Sequence, residues 1–290
     1  MTEVEITKAA TRYMGQSALA TVVLAFGTVG LWAALFIFAI LDVISVWVAL
    51  PVVAYLVYMT YTPLHEAVHN NIAGRNRNLH WLNELTGYLV ANVLGMSFTM
   101  HKAAHIAHHR HTNLRGEDPD LVYSGHELYD AFTGGPKLVW NEYRDYFQRV
   151  FPKAQAKERR TVFAELCLAV GWRLGLAVFF PLEVIVLGVI GNLVGVAILV
   201  YLFAWVVHTP FNETERFKDT LTILIPGWLS KPVTWLWLWQ NYHSIHHLFP
   251  RVPFFQYAKL FTEIREGMVE RGAPIVELTF RGRQPIPMKA

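Results

Sequence analysis

Long apolar segments alternate with polar, histidine-rich segments along this chain of 290 residues. A helix of about 20 apolar residues is long enough to cross the hydrocarbon core of a bilayer. Four segments meet or approach this length, and we predict that they span a membrane: residues 17–40, 43–64, 161–180 and 182–207. Asp42 separates the first pair and Pro181 separates the second pair, so each pair is predicted to form a hairpin.

A fifth apolar segment, residues 82–98, is shorter than a span and contains Glu84. We predict that this segment is re-entrant or lies at the membrane interface. If it crossed the membrane, it would place His65 and His105 on opposite sides. The histidine pattern described below requires both on one side.

Composition agrees with a membrane protein and excludes other classes. Hydrophobic residues make up 53% of the chain and charged residues only 16%, whereas about 25% of residues are charged in a typical soluble domain. The net charge of +3 is too small to indicate nucleic-acid binding. Cys167 is the single cysteine, which excludes an internal disulfide framework. We predict one all-α integral membrane domain over residues 1–290.

The distribution of lysine and arginine predicts the orientation of this domain. The two predicted hairpin turns contain neither residue, whereas the N-terminal segment, the loop 70–160 and the chain after His208 contain many. Cytoplasmic loops carry an excess of basic residues. Both termini, the tail 258–290 and a helical cap are therefore predicted to lie in the cytoplasm. Arg173, inside the third predicted span, is the one exception.

Most of the 13 histidines fall into three clusters that border apolar segments. Histidines three or four positions apart share one face of a helix, so each cluster can direct several imidazoles at one point. Neutral imidazole is a good ligand for iron, zinc, copper and nickel. The imidazoles exceed the needs of one ion, so we predict two adjacent metal ions. The predicted ligands are His65, His69, His105, His108, His109, His208, His243, His246 and His247.

His80, His111 and His126 are predicted to have structural roles. His101 is not in the predicted ligand set, but its position four residues before His105 leaves both roles open. Metal-bound histidines usually donate their second N–H to a carboxylate, a carbonyl or water. Several polar residues near the clusters in sequence are therefore predicted to orient the ligands. These residues are Glu66, Asp118, Asp120, Glu213 and Asn241. For Asn241, a role in a turn or a helix cap is an equally good interpretation.

The combined motif resembles that of the membrane fatty acid desaturase and hydroxylase superfamily. Its members carry HxxxH, HxxHH and HxxHH boxes and one further histidine on the last spanning helix, and the likeness covers about residues 61–257. The segments that follow His208 and surround His243 look like those of bacterial-type β-carotene hydroxylases, although Ile72 departs from the pattern of that group. The resemblance implies a non-haem di-iron centre, O₂ as co-substrate and an external electron donor such as ferredoxin.

We predict from this resemblance an O₂-dependent oxidoreductase that acts on C–H bonds of a membrane lipid. Hydroxylation of a carotenoid ring, such as that of β-carotene, is the leading hypothesis. A fatty acyl desaturase or hydroxylase stays open, because both reactions use the same kind of metal site. A histidine-rich metal transporter is a remote alternative, since transport favours ionisable residues deep within spans and these spans have few. The predicted location is a bacterial inner membrane, with the active site facing the cytoplasm.

Overall fold

Helices form most of the chain in the computed structural model, which describes residues 1–123, 128–210, 212–280 and 282–285. The longer helices are α1 (Glu3–Thr11), α2 (Leu19–Ile40), α3 (Val46–Val68), α4 (His80–Leu94), α5 (Phe98–His111), α6 (Leu128–Asp145), α7 (Ala156–Ala177), α8 (Pro181–His208), α9 (Ser230–Leu236), α10 (His243–Leu248) and α11 (Tyr257–Val269). Short 3₁₀ segments lie at Arg77–Leu79, Pro119–Tyr123, Phe151–Lys153, Gly227–Leu229, Gln240–Tyr242 and Phe254–Gln256. π-helical segments lie at Tyr146–Val150, Val184–Ile190 and Val200–Trp205.

Three of these helices, α2, α3 and α8, are long and apolar enough to cross a membrane. They contain the first, second and fourth predicted spans. The third predicted span falls largely in α7, which is not among the three because Arg160, Glu165 and Arg173 interrupt its apolar sequence. These three helices indicate that the chain is a membrane protein. The fourth span remains a prediction.

Helix α3 is the centre of the bundle and packs against α2, α4 and α8. Leu56, Val57 and Leu64 of α3 are buried in the main apolar core with side chains of all three neighbours. Gly195 lets α8 approach α3 closely, because a Cβ atom there would lie 2.6 Å from the carbonyl oxygen of Ala54. This close contact holds α3, which carries the first histidine cluster, against α8, which carries His208.

The predicted segment 82–98 forms parts of two helices rather than one. α4 ends at Gly95, which adopts a left-handed conformation with φ of 76°, and glycine is the usual residue there. Ser97 then begins α5, because its hydroxyl accepts a hydrogen bond from the Met100 N–H. The two helices thus form a hairpin, which leads the chain back to the second histidine cluster.

Two polar side chains from α7 and α8 bind the end of α4. The guanidinium of Arg173 donates to the carbonyl oxygens of Asn92 at 3.1 Å and Val93 at 2.8 Å, and Asn192 Nδ2 also donates to Val93 at 3.0 Å. The last carbonyls of a helix have no partner within that helix, and apolar surroundings make such vacancies costly. Arg173, the exception in the charge pattern, therefore stabilises the tip of the α4–α5 hairpin.

A small sheet corrects the all-α prediction. Strands β1 (Thr222–Leu224), β2 (Ile275–Thr279) and β3 (Gly282–Pro285) lie in that order, with β1 and β2 parallel and β2 and β3 antiparallel. These strands have only 3, 5 and 4 residues, too few for a clear alternating pattern. The parallel pair also joins residues that are distant in sequence, which local patterns cannot reveal.

The residues of the predicted tail pack onto the N-terminal helix. Ile6 of α1 is fully buried in a cluster that includes Leu260 and Ile264 of α11 and Ile245 of α10. The N-terminal ammonium group of Met1 donates to the carboxylate of Glu270 at 2.8 Å. Helices α1 and α11 thus hold α10, and with it the third histidine cluster, against the bundle.

Candidate metal centre

Four helices bring the three histidine clusters and His208 together. α3 extends beyond its apolar segment through His65, and His69 is its C-terminal cap. The second cluster lies on α5, His208 is the last residue of α8, and the third cluster begins α10. The polypeptide before α10 turns sharply, with left-handed φ angles of 51° at Leu238 and 60° at Trp239.

Five imidazoles form a first group, in which the ligand nitrogens all lie within 4.8 Å of one another. Its members are His65, His69, His105, His109 and His246. The Nε2 atom of His105 lies 3.0 Å from that of His69 and 3.0 Å from that of His109. The Nε2 atoms of His109 and His246 are 2.7 Å apart. Helices α3, α5 and α10 all contribute to this group.

A second group lies directly beside the first. The ligand nitrogens of His108, His208 and His247 all lie within 4.8 Å of one another, and His243 Nε2 is 3.2 Å from His247 Nε2. The rings of His109 and His247, one from each group, have centroids only 4.5 Å apart. All nine predicted ligands therefore lie in one of the two adjacent groups or in contact with it.

Metal coordination accounts for the positions of these ring nitrogens better than hydrogen bonds between the imidazoles do. A neutral imidazole has a single N–H, so His105 cannot donate a separate hydrogen bond to His69 and to His109. Both ring nitrogens of His65 are buried without a hydrogen-bond partner among the residues that the structure describes. A shared cation would satisfy these lone pairs, and two adjacent groups suit two ions.

Burial favours the neutral form of the imidazoles that face the centre. It lowers the pKa of His69 to about 3, with a smaller contribution from His101, and lowers the pKa of His243 to about 3, with a smaller contribution from His108. Burial also lowers the pKa values of His105, His109, His246 and His247. Neutral imidazoles keep the lone pairs that a metal ion needs.

His108 differs because two carboxylates lie behind it. Its Nδ1 atom is 2.8 Å from Asp118 Oδ1 and 3.8 Å from Asp120 Oδ2. Burial alone would disfavour the charged imidazolium, but the two carboxylates outweigh burial and raise the pKa of His108 to about 9. Asp118 is itself held by the backbone N–H groups of Asn113 and Asp120. Asp118 and Asp120 are thus the predicted orienting residues that the structure brings to a histidine.

The other predicted orienting residues contact different partners. Glu66 accepts hydrogen bonds from Asn71 Nδ2 at 3.1 Å and from the Phe254 N–H at 3.3 Å, so it joins α3 to the segment before α11. Asn241 donates to the Ile223 carbonyl oxygen at 3.0 Å, which is its role in the turn before α10. The side chain of Glu213 is exposed.

Sequence reasoning missed Tyr257, whose hydroxyl lies 3.1 Å from His246 Nδ1. The Tyr257 side chain is fully buried at the start of α11. His247 Nδ1 has two polar neighbours, Asp219 Oδ2 at 3.6 Å and Thr112 Oγ1 at 3.4 Å. Asp219 lies close in sequence to His208, which makes it a candidate orienting residue from the sequence. No local sequence signal identifies Tyr257 or Thr112, since each lies on a different element from the histidine that it contacts.

The histidines outside the ligand set have separate environments. His101 Nδ1 lies 3.2 Å from Glu142 Oε1 in a buried pair, and His111 Nδ1 lies 3.1 Å from Glu117 Oε2 in an exposed pair. His80 is exposed at the start of α4. His126 lies outside the described residues.

One cavity borders the metal centre, and a second cavity lies next to the first. A small cavity of about 30 Å³, bordered by His105, His108, His208 and His243, has room for a molecule of about the size of water. A larger cavity of about 760 Å³ lies between α5, α6, α7 and α8 and has mostly apolar walls. Tyr61, Leu138 and Leu199 line both cavities. The large cavity is therefore the neighbour of the small one, with these three residues between them.

Comparison with known proteins identifies the family. The sequence matches the family model described as fatty acid desaturase over residues 42–279, which is most of the chain. No curated protein matched. Enzymes of this family are oxygen-dependent di-iron oxidoreductases, and the two histidine groups here can hold metal ions. On this match, and on its apolar helices and clustered imidazoles, the chain belongs to the fatty acid desaturase family of membrane oxidoreductases.

Proposed function

We propose that this enzyme hydroxylates a ring of a carotenoid such as β-carotene, using O₂ and two irons held by the nine predicted histidines. The apolar cavity of about 760 Å³ next to the metal centre carries the proposal, because it fits an apolar lipid. Its volume is within the range of about 300–1,000 Å³ that is usual for small-molecule sites. The segments around His208 and His243, similar to those of bacterial-type β-carotene hydroxylases, favour a carotenoid.

The reaction converts a C–H bond, O₂, two electrons and two protons into a C–OH group and water. The two irons would supply the activation of O₂. An external electron donor such as ferredoxin would supply the electrons from the cytoplasmic side of a bacterial inner membrane, where both termini would also lie. In this reaction the polypeptide would bind the lipid, orient the imidazoles and exclude water.

The residues between the two cavities would position the lipid. Tyr61, Leu138 and Leu199 are the residues common to both cavities, so the reacting carbon would pass between them. Apolar walls exclude bulk water from the site, which protects a reactive oxidant from side reactions. Asp118 would accept the Nδ1–H of His108 and so fix the orientation of that ring.

Expression in a bacterium that accumulates β-carotene, followed by chromatography of the pigments, tests the proposal. We expect hydroxylated pigments from the wild-type chain and none from His108→Ala. A fatty acyl desaturase or hydroxylase would fit the same metal centre and cavity. Unchanged pigments together with altered fatty acid unsaturation would reject the carotenoid and establish this alternative.

A further inference from the structure

A buried polar pair lies in the wall of the large cavity. His101 on α5 and Glu142 on α6 both line this cavity, and each is only 3% exposed. His101 Nδ1 lies 3.2 Å from Glu142 Oε1. The ring of His101 stacks on that of His105, with centroids 5.7 Å apart. The pair therefore lies one side chain away from a predicted metal ligand.

The pair leaves hydrogen-bonding capacity unused. His101 belongs to neither histidine group. His101 Nε2 is buried without a hydrogen-bond partner among the residues that the structure describes. Among the same residues, Glu142 bonds to His101 through Oε1 alone, and the ring of Tyr61 contacts that of His101 edge-on. A polar group that borders an apolar cavity costs free energy unless a partner bonds to it. A ligand in the cavity is the available source of that partner.

The chemistry of the pair selects the kind of ligand group. A hydroxyl both donates and accepts, so it can bond to a carboxyl group in either protonation state. A charged group would lose its hydration in this apolar cavity at a much larger cost. Arg173 also borders the cavity, but its guanidinium is engaged by the carbonyl oxygens of Asn92, Val93 and Ala169.

We propose that Glu142, positioned by His101, binds a hydroxyl group at the end of the lipid that reaches the metal centre. The chain would then bind a lipid whose end at the metal centre already carries a hydroxyl group, as the reaction product does, more tightly than the corresponding hydrocarbon. This inference rests on the proposed function for the presence of a lipid in the cavity. For a carotenoid, it makes the monohydroxylated pigment a better ligand than β-carotene.

Binding measurements without oxygen separate affinity from turnover. The full chain with its metal, in lipid nanodiscs, is titrated with β-carotene and with its monohydroxylated ring derivative, and quenching of tryptophan fluorescence reports Kd. We expect the hydroxylated pigment to bind about tenfold more tightly, the usual effect of one hydrogen bond to a polar group. Glu142→Leu should remove this preference and leave the Kd of β-carotene within about twofold.

Matched variants keep the test specific. Glu117→Leu changes the exposed pair with His111, which does not border the cavity, and should keep the full preference. Glu142→Gln retains hydrogen-bonding atoms and should keep part of the preference for the hydroxylated pigment. Equal affinities of the wild-type chain for both pigments would overturn the inference, and so would a preference that survives in Glu142→Leu.

A second pair of ligands separates this inference from the proposed function. Methyl octadecanoate and a hydroxylated derivative are titrated in the same way. If the pigments do not bind but the hydroxylated ester is preferred, the carotenoid proposal fails and the hydroxyl site stands. If the pigments bind with equal affinity, the hydroxyl site fails and a carotenoid substrate stands.

Discussion

At the scale of single residues, the centre depends on side chains that hold the imidazoles as well as on the imidazoles themselves. The hydroxyl of Tyr257 lies 3.1 Å from His246 Nδ1, and Asp118 lies 2.8 Å from His108 Nδ1. If a metal binds one ring nitrogen, the other must carry the proton and donate it. Tyr257 and Asp118 are placed to accept those donations, which fixes both the tautomer and the ring orientation.

Tyr257→Phe should lower metal affinity about 10- to 100-fold, because it removes the acceptor for His246 without removing a ligand. Dialysis against graded chelator concentrations, followed by metal analysis, measures this change. Tyr242→Phe is the matched control, since that ring packs on Phe261 rather than on a histidine. Equal metal retention by the two variants would assign Tyr257 to packing alone.

His246→Ala should abolish activity and lower the iron content, because it removes one of five nitrogens from the first group. His111→Ala makes the same chemical change at a partly exposed residue outside both groups, so it should leave iron content and activity near those of the wild-type chain. Iron analysis and pigment chromatography test both variants. An equal loss in the two would mean that the ligand set is assigned incorrectly.

At the scale of helices and strands, the sequence predicts the features that depend on local patterns. The spacing of His105, His108 and His109 determines which imidazoles share a face of α5, and this follows from helix geometry alone. The contact of Tyr257 with His246 and the β1–β2 pairing depend on where distant elements pack. A one-dimensional pattern does not contain that information.

Arg173→Leu should destabilise the α4–α5 hairpin, since two carbonyl groups at the end of α4 would lose donors. Each carbonyl keeps one other donor, the Gly95 N–H for Asn92 and Asn192 Nδ2 for Val93, so the cost is that of the lost hydrogen bonds to a charged group. It is about 1.5–3 kcal/mol for each bond, and the thermal midpoint in detergent should fall. Arg160→Leu on the same helix is the control, because that side chain is exposed. If the midpoints of the two variants agree, the guanidinium contributes no net stability at this position.

At the scale of the whole molecule, the centre joins helices from both ends of the chain in a buried position. This arrangement predicts how pH affects the protein after a chelator has removed its metal. His69 and His243 have pKa values of about 3 when folded and about 6.5 when unfolded. As the pH falls from about 6.5 towards about 3, only the unfolded chain gains these protons, so the free energy of unfolding falls.

Thermal unfolding of the metal-free protein at about pH 7 and about pH 5 checks this prediction, and we expect the lower midpoint at the lower pH. His69→Asn should reduce the difference between the two midpoints, because one of the titrating groups is gone. His80→Asn, at an exposed position, should not. The same midpoint difference in His69→Asn as in the wild-type chain would contradict the burial of a neutral imidazole at this position.

The order in which the ligands leave the ribosome is a consequence of their wide separation in sequence. His69 is translated long before His247, although the two belong to adjacent histidine groups of one candidate centre. At about 5–20 residues per second, roughly 10 to 35 seconds pass between them. During that interval the nascent chain is already entering the membrane with an incomplete set of imidazoles. Metal loading is therefore expected to be a late event of biogenesis, and a chain that terminates before α10 would insert into the bilayer without a complete centre.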